Sequence, residues 1–271
     1  MKIDVLQVPY DSGRRDFRMG GGPMRLVEGG LLSHLSGHAP EVIPVQLDPG
    51  FKAEISSAFD LAKAIRFRVS ESLQRCHFPL ILSGNCIAAL GTVAALVNPD
   101  VYWFDAHGDL NTPESTKSGY LDGMALAILL GRCWRSLSTD LGLQPVPEQK
   151  VWLLGARDLD PAEKDFLLTS RLRWIRSDQE MGSLPMKNRP DGAYLHIDLD
   201  VLDPSVGTAN SYASAGGFSL EGLKSAIERI GENTVIRAAA LTAYDPAADP
   251  SGLVVEAAIE IAEYIASVVS R

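Results

Sequence analysis

Long apolar runs are missing from this sequence: nothing approaches the ~18 consecutive apolar residues that a membrane-spanning helix requires. The N-terminus, MKIDVLQVPYDSG, has no secretory-signal pattern and reads as a β-strand. Cysteine is scarce, with Cys76, Cys86 and Cys133 giving an odd count and no regular spacing. That argues against a disulfide framework and for a reducing compartment, so the expected location is the cytoplasm. Positive charge is also short: 25 Lys and Arg stand against 34 Asp and Glu, a formal net charge of −9. Such a chain lacks the clustered cations that grip a phosphate backbone, so no nucleic-acid partner is expected, and no membrane partner either. A nucleotide-binding glycine loop is absent as well, because GGGP (Gly20–Pro23) lacks the spacing that a strand–helix junction needs. Internal repeats and low-complexity segments are not seen.

What is there is an alternation of two patterns. Short apolar runs end in Gly, Asp or Asn, as strands buried on both faces do: Ile3–Val8, Leu80–Leu82, Val101–Phe104, Val151–Leu154, Ala193–Ile197 and Val235–Leu241. Between them lie stretches of helical period, clearest at Ile55–Leu73, with others at Leu220–Ile230 and Val254–Val269. Strand alternating with helix predicts βαβ units, a mostly parallel sheet and helices on both faces, a three-layer α/β/α architecture. No shift of composition divides the 271 residues, so one domain spanning 1–271 is expected, and Ser177–Gly192 reads as an exposed loop. A chain of this length buries roughly three quarters of its unfolded surface, enough for a large core. In such sheets the ligand crevice lies beyond the carboxyl ends of the strands, so the polar residues there carry the functional reading.

Two clusters stand out at those ends. In VYWFDAHGD (Val101–Asp109), Asp105, His107 and Asp109 fall at alternate positions where an apolar strand runs out. On an extended backbone alternate side chains share one face, so these three are expected to converge. In HIDLDVLD (His196–Asp203), Asp198 and Asp200 repeat the pattern. Adjacent carboxylates repel unless a cation neutralises them, and hard oxygen and imidazole donors suit Mn²⁺ or a similar ion. Two such ions can share bridging carboxylates and activate a water for attack on an electron-poor carbon or phosphorus. His196, in phase with Asp198, reads as a satisfied polar residue one step inside the strand.

These motifs resemble the ureohydrolase family of arginases, agmatinases and formimidoylglutamases. DAHGDLNTPESTKSGYLDGM (Asp105–Met124) is similar to its D-A-H-x-D-x-N-T-P segment, and DLDVLDPSVGTANSYASAGG (Asp198–Gly217) to its second aspartate segment. LGARDLDPAE (Leu154–Glu163) resembles the segment near the substrate amino group. The resemblance spans nearly the whole chain. It implies an eight-stranded arginase-like sheet and two Mn²⁺ ions per subunit, held by Asp105, His107, Asp109, Asp198 and Asp200. It also implies a homo-oligomer, trimer or hexamer. The sixth family ligand is a His; in SGNCI (Ser83–Ile87) Cys86 stands there, either as a softer ligand that leaves one metal weakly bound or as a buried free thiol. In this loop, and in Gly119–Leu121, the chain is similar to a hydroxyarginine-hydrolysing branch found in D-cycloserine biosynthesis.

By the same resemblance, Asn111 and Ser118 match residues that bind a substrate α-carboxylate, and Asp160 and Glu163 match those near the α-amino group. Read from local chemistry alone, Asn111 and Asp160 serve turns and helix caps equally well. Two positions depart further from the pattern. Asp122 replaces a His that shuttles protons, and Ala243 replaces the Glu that anchors a guanidinium; Asp122, Glu114 or Asp245 are the acids available to substitute. Tyr212 stands where the family often has a Thr and is expected to narrow the pocket. The resemblance implies a metal-dependent hydrolase of linear C–N bonds. Arginine, Nω-hydroxyarginine or a related amino acid would yield an amine such as ornithine plus urea or a substituted urea, with Asp109 and Asp122 as catalytic groups. Two alternatives stay open: a metal-poor ligand-binding homologue, and a hydrolase of formimino or other amide substrates.

Overall fold

The computed structural model describes residues 1–47, 53–182 and 189–271. Its strands are β1 (Ile3–Val8), β2 (Tyr10–Asp11), β3 (Arg14–Arg15), β4 (Glu41–Pro44), β5 (Phe78–Ser83), β6 (Asp100–Phe104), β7 (Val151–Leu154), β8 (Arg173–Ile175), β9 (Arg189–Asp198) and β10 (Thr234–Thr242). The α-helices are α1 (Gly22–Glu28), α2 (Leu31–His34), α3 (Glu54–Gln74), α4 (Ala89–Ala95), α5 (Ala125–Leu129), α6 (Arg135–Leu141), α7 (Pro161–Thr169), α8 (Asp178–Gly182), α9 (Leu220–Asn233) and α10 (Leu253–Val269). Eight strands form one sheet in the order β4-β1-β5-β10-β9-β6-β7-β8. Every pairing in it is parallel, as the βαβ alternation requires. β2 and β3 make a small antiparallel ribbon of their own.

The strands read as continuous apolar runs because both faces are covered, and alternate residues feed two cores. On one side Leu6, Val8, Ile81, Val101, Trp103 and Leu153 pack against α3 through Phe59, Ile65 and Val69. On the other, Val5, Leu80, Leu82, Phe104, Leu195 and Leu241 meet Leu223 and Ile227 of α9 and Ile261 and Ile265 of α10. The helical stripes read from periodicity coincide with α3, α9 and α10 to within three residues at either end. β4 and β8, the two edge strands, escaped that reading: they are short and half exposed, so they lack a buried run. Ser177–Gly192 is less loop-like than expected, since α8 and the start of β9 occupy its two ends; the residues between them, 183–188, lie outside the described set. Among the described residues no helix is long and apolar enough to cross a membrane.

The register levels the sheet at its carboxyl edge. Val8, Ser83, Thr242 and Asp198 are successive partners across β1, β5, β10 and β9. Phe104 pairs with Ile197, which brings Asp105 beside Asp198. Just past β5, Gly84 lets the chain press against β2: a Cβ there would lie 2.4 Å from the Tyr10 carbonyl oxygen and 2.7 Å from the Gly20 nitrogen. Gly84→Ala is therefore expected to cost about 1–3 kcal/mol by forcing packed backbone apart. Gly37→Ala, whose Cβ meets nothing within 4 Å, is the control. Urea unfolding of the two variants measures the difference, and equal midpoints would contradict the close-packing argument.

Candidate active site

Four neighbouring strands deliver the polar cluster. β6 ends at Phe104, and Asp105, His107 and Asp109 follow in the loop beyond it. β9 delivers Asp198 and the 3₁₀ turn Leu199–Val201 delivers Asp200. β5 leads into Cys86, and β10 ends at Thr242 with Ala243 following it. The five in-phase residues do converge, but not by strand alternation. The extended backbone stops before Asp105, Asp109 sits in the left-handed region with φ +51°, and Asp200 lies in the turn. Tight turns, locked by hydrogen bonds from backbone N–H groups, aim the carboxylates: His107 donates to Asp105 Oδ1 (2.7 Å), Ala106 to Asp200 Oδ1 (3.1 Å) and Asp200 to Asp198 Oδ1 (2.9 Å).

The donor atoms fall into two groups. Cys86, Asp105 and Asp198 each place a ligand atom within 4.8 Å of the others, and so do Asp105, His107 and Asp200. Asp105 belongs to both groups. Asp109 is buried beside them, and its Oδ2 has no hydrogen-bond partner. Burial, and then the charges of Asp105, Asp122 and Asp198, push its pKa well above the carboxylate range. Asp198 is raised by burial and by Asp200 and Asp105. Burial alone would keep His107 neutral, yet its contacts with Asp105 (3.3 Å) and Asp200 (3.4 Å) lift its pKa to about 12. An orphaned buried oxygen and two donor groups sharing one carboxylate fit divalent metal ions well.

Cys86 faces this cluster as a buried thiol, with Sγ donating to Asp198 Oδ2 (3.1 Å) and lying 3.4 Å from Thr242 Oγ1. Burial and the surrounding carboxylates hold its proton on, with its pKa well above the usual thiol range. A polar chain runs behind it: Thr242 Oγ1 is 3.4 Å from His196 Nε2, and His196 Nδ1 is 3.1 Å from the Tyr194 hydroxyl. His196 is fully buried, stacked on Trp103 with ring centroids 3.6 Å apart, and burial lowers its pKa to about 3. It is the satisfied polar residue the sequence suggested. Trp103 in turn donates from Nε1 to Asp105 Oδ2 (3.1 Å). Thr242 and Asn210 went unnoticed in the sequence. Asn210 Nδ2 reaches both Asp200 Oδ2 (3.1 Å) and the Ala243 carbonyl oxygen (2.9 Å), and only the fold brings those two together.

Beside this cluster lies a cavity of about 290 Å³. Asn111, Ser118, Asp160 and Glu163 line it together with Cys86, His107, Asp109, Asp198 and Asp200. Asp160 and Glu163 also cap α7 reciprocally, with Glu163 Oε2 accepting from Asp160 N and Oε1 from Leu110 N. Asn111 Nδ2 donates to Asp160 Oδ2 (3.0 Å), whose other oxygen meets Lys117 (3.3 Å). Asp122 lines the cavity, but its carboxylate holds the Cys86 loop, accepting from Ile87 N (2.8 Å) and Asn85 Nδ2 (3.0 Å). Burial raises its pKa to about 7. Neither Glu114 nor Asp245 lines the cavity, so Asp122 alone of those three acids reaches it. Ala243, at φ +61°, leaves its part of the wall uncharged.

A profile described as Arginase family matches residues 1–267. The arginase of Bacillus caldovelox is 30% identical over 91% of this chain and 92% of its own length. That of Staphylococcus aureus (strain MSSA476) is 29% identical over 96% and 95%. Among solved structures, the Bacillus caldovelox arginase superposes with a TM-score of 0.86 at 26% identity, covering 100% of this chain and 98% of the other. Proclavaminate amidino hydrolase from Streptomyces clavuligerus, at 18% identity and a TM-score of 0.73 over 99% and 92%, shares the fold.

Without metal the packed carboxylates oppose folding. Asp109→Asn is therefore expected to stabilise the metal-free protein at neutral pH by about 1 kcal/mol, because a buried carboxyl whose pKa is raised on folding costs stability above its unfolded pKa. Mn²⁺ is expected to raise the melting temperature of the parent chain and not of the variant. Urea and thermal unfolding, with and without Mn²⁺, test both, and a variant that is less stable than its metal-free parent would contradict the electrostatic account.

Proposed function

The chain belongs to the arginase family, and we propose that it is a two-manganese hydrolase of an amino acid carrying a terminal guanidino or hydroxyguanidino group. Ureohydrolases of this family hydrolyse C–N bonds. The observation that carries the finer reading is the pair of donor groups sharing Asp105, opening into the same cavity as Asn111, Ser118 and Asp160. Asp105, His107, Asp109, Asp198, Asp200 and Cys86 would hold the ions. Bound Mn²⁺ would neutralise the carboxylates and lower the pKa of a water enough to supply a nucleophile near neutral pH.

The chain's own groups do the rest. The free Oδ2 of Asp109 would accept a hydrogen bond from the attacking water and orient it toward the central carbon. Asn111 and Ser118 would read the α-carboxylate. Asp160, half exposed and fixed by Asn111, would meet the α-amino group, while Glu163 holds Asp160 in place. Asp122 supports the Cys86 loop and, with its raised pKa, is the acid placed to exchange a proton with the departing amine. The products would be ornithine, or a similar amine, and urea or its hydroxy derivative.

The uncharged wall at Ala243 favours hydroxyarginine over arginine. An N-hydroxy substituent withdraws electrons and makes the guanidine less basic, so it depends less on a carboxylate anchor. Residues 1–271 would act as one domain, in the cytoplasm and as a homo-oligomer.

The test is ornithine release from both substrates after equilibration with Mn²⁺, with metal content measured by plasma mass spectrometry. Turnover is expected to need metal. Asp105→Asn should cut it by more than the roughly 100-fold that losing an outer-shell partner costs. Full metal loading without turnover of either guanidine would overturn this reading in favour of an amide or formimino substrate. Failure to bind metal at all would favour a ligand-binding homologue.

A further inference from the structure

The mouth of the cavity carries an aromatic wall that the hydrolytic chemistry does not use. Tyr212, in the loop that follows the Leu199–Val201 turn, lines the cavity. Its ring stands edge-on to the His107 ring at 6.4 Å and lies nearly parallel to Tyr120 at 6.2 Å, with 28° between the planes. Tyr120 in turn donates its backbone N–H to Ser118 Oγ (3.1 Å). The two rings therefore span the distance from a residue that reads the amino-acid end to a residue of the metal cluster.

The wall is braced from outside. Arg18 Nη2 donates to the Tyr212 hydroxyl (2.9 Å), and the guanidinium carbon lies 5.7 Å from the ring centroid. Arg18 is held by Asp11, with Nε 3.7 Å from Oδ2, and the Tyr120 hydroxyl donates to Asp11 Oδ1 (3.3 Å). Asp11 is wholly buried, so one fixed carboxylate anchors both halves of the wall. Arg18 takes the left-handed backbone conformation, φ +45°, to make this reach. From inside, Asn210 Oδ1 accepts from the Tyr212 backbone N–H (2.8 Å) while its Nδ2 bonds Asp200. A residue tied to the cluster by Asn210 and to the opposite loop by Arg18 has little room to swing aside.

We propose that Tyr212 is a specificity-determining residue: its ring, braced by Arg18, forms a rigid wall beside the path to the metal cluster. It admits a slender, unbranched side chain with a small planar end and refuses one whose terminal nitrogen carries a bulky substituent. The inference rests on the substrate class proposed above.

Binding distinguishes the two. Arginine and Nω-propylarginine are titrated calorimetrically into Mn²⁺-equilibrated parent protein and into Tyr212→Phe, Tyr212→Ala and Arg18→Met, with turnover measured in parallel. The parent is expected to prefer arginine. Tyr212→Ala should shift the affinity ratio toward the propyl compound by about tenfold, the scale on which pocket walls discriminate small groups. Tyr212→Phe, which keeps the ring but loses the hydroxyl that Arg18 holds, and Arg18→Met, which removes the brace itself, should both fall between. If Tyr212→Ala weakens both ligands by the same factor, Tyr212 is structural and the proposal fails; a parent that binds neither compound overturns it as well. A parent that binds arginine selectively but hydrolyses nothing would refute the hydrolase reading while the ratio still decides the role of Tyr212.

Discussion

Like-charge repulsion between buried carboxylates is the constraint from which the rest of this site follows. Asp105, Asp109, Asp198 and Asp200 are all nearly inaccessible to solvent; burial and neighbouring carboxylates raise the pKa of the first three, while Asp200, against burial, is held down to about 2 by His107 and its hydrogen bonds. Several such groups in one place oppose folding unless a cation joins them. His107 is the cationic side chain that meets these carboxylates directly, 3.3 Å from Asp105 and 3.4 Å from Asp200, and its raised pKa is the trace of that demand. The donor atoms of this set lie close enough together for divalent cations to neutralise it, which is how the proposed function uses them.

The surroundings are organised to hold that arrangement. Trp103, Asn210, Thr242 and three backbone N–H groups each fix one atom of the cluster, and His196 stays neutral to complete the chain behind Cys86. These supports come from β6, β9, β10 and the loops beyond them, so the level register of the sheet sets which donors can meet. A one-residue slip between β9 and β10 would move Thr242 away from Asp198 and turn every neighbouring side chain to the other face.

The central strands, the long helices and the five cluster residues were legible because each leaves a local trace: a buried run, a helical stripe, acids where a run ends. The reason given for their convergence was incomplete, because positions 105–109 and 200 belong to turns and not to strands. Alternate spacing does not distinguish an extended backbone from a tight loop with one left-handed residue. β4 and β8 left no trace because edge strands need not be apolar on both faces. Asn210 and Thr242 were invisible for a different reason: their importance lies wholly in partners far along the chain. Glu163 shows how a matched position and a local role can coexist, since it lines the cavity and caps a helix with the same carboxylate.

The departures from the family pattern are not scattered through the site. Cys86 follows β5 and Ala243 follows its neighbour β10, while Asp122 reaches across to bond the Cys86 loop at Asn85 and Ile87. Asp105, His107 and Asp109 follow β6, Asp198 and Asp200 lie at the end of β9, Asn111 and Ser118 belong to the loop after β6, and Asp160 and Glu163 sit at the start of α7. The residues that match the family pattern thus gather on the β6–β9 side of the crevice, while Cys86 and Ala243 stand on the β5–β10 side. The substitutions also fit one another: with Asp122 turned to the Cys86 loop, the buried thiol is held in place by Asp198 and Thr242 without needing a charge of its own. Departures grouped on one side of the crevice, with the Asp105–Asp200 cluster complete on the other, fit the proposal of a changed reacting group on a similar amino-acid frame better than they fit decay of function.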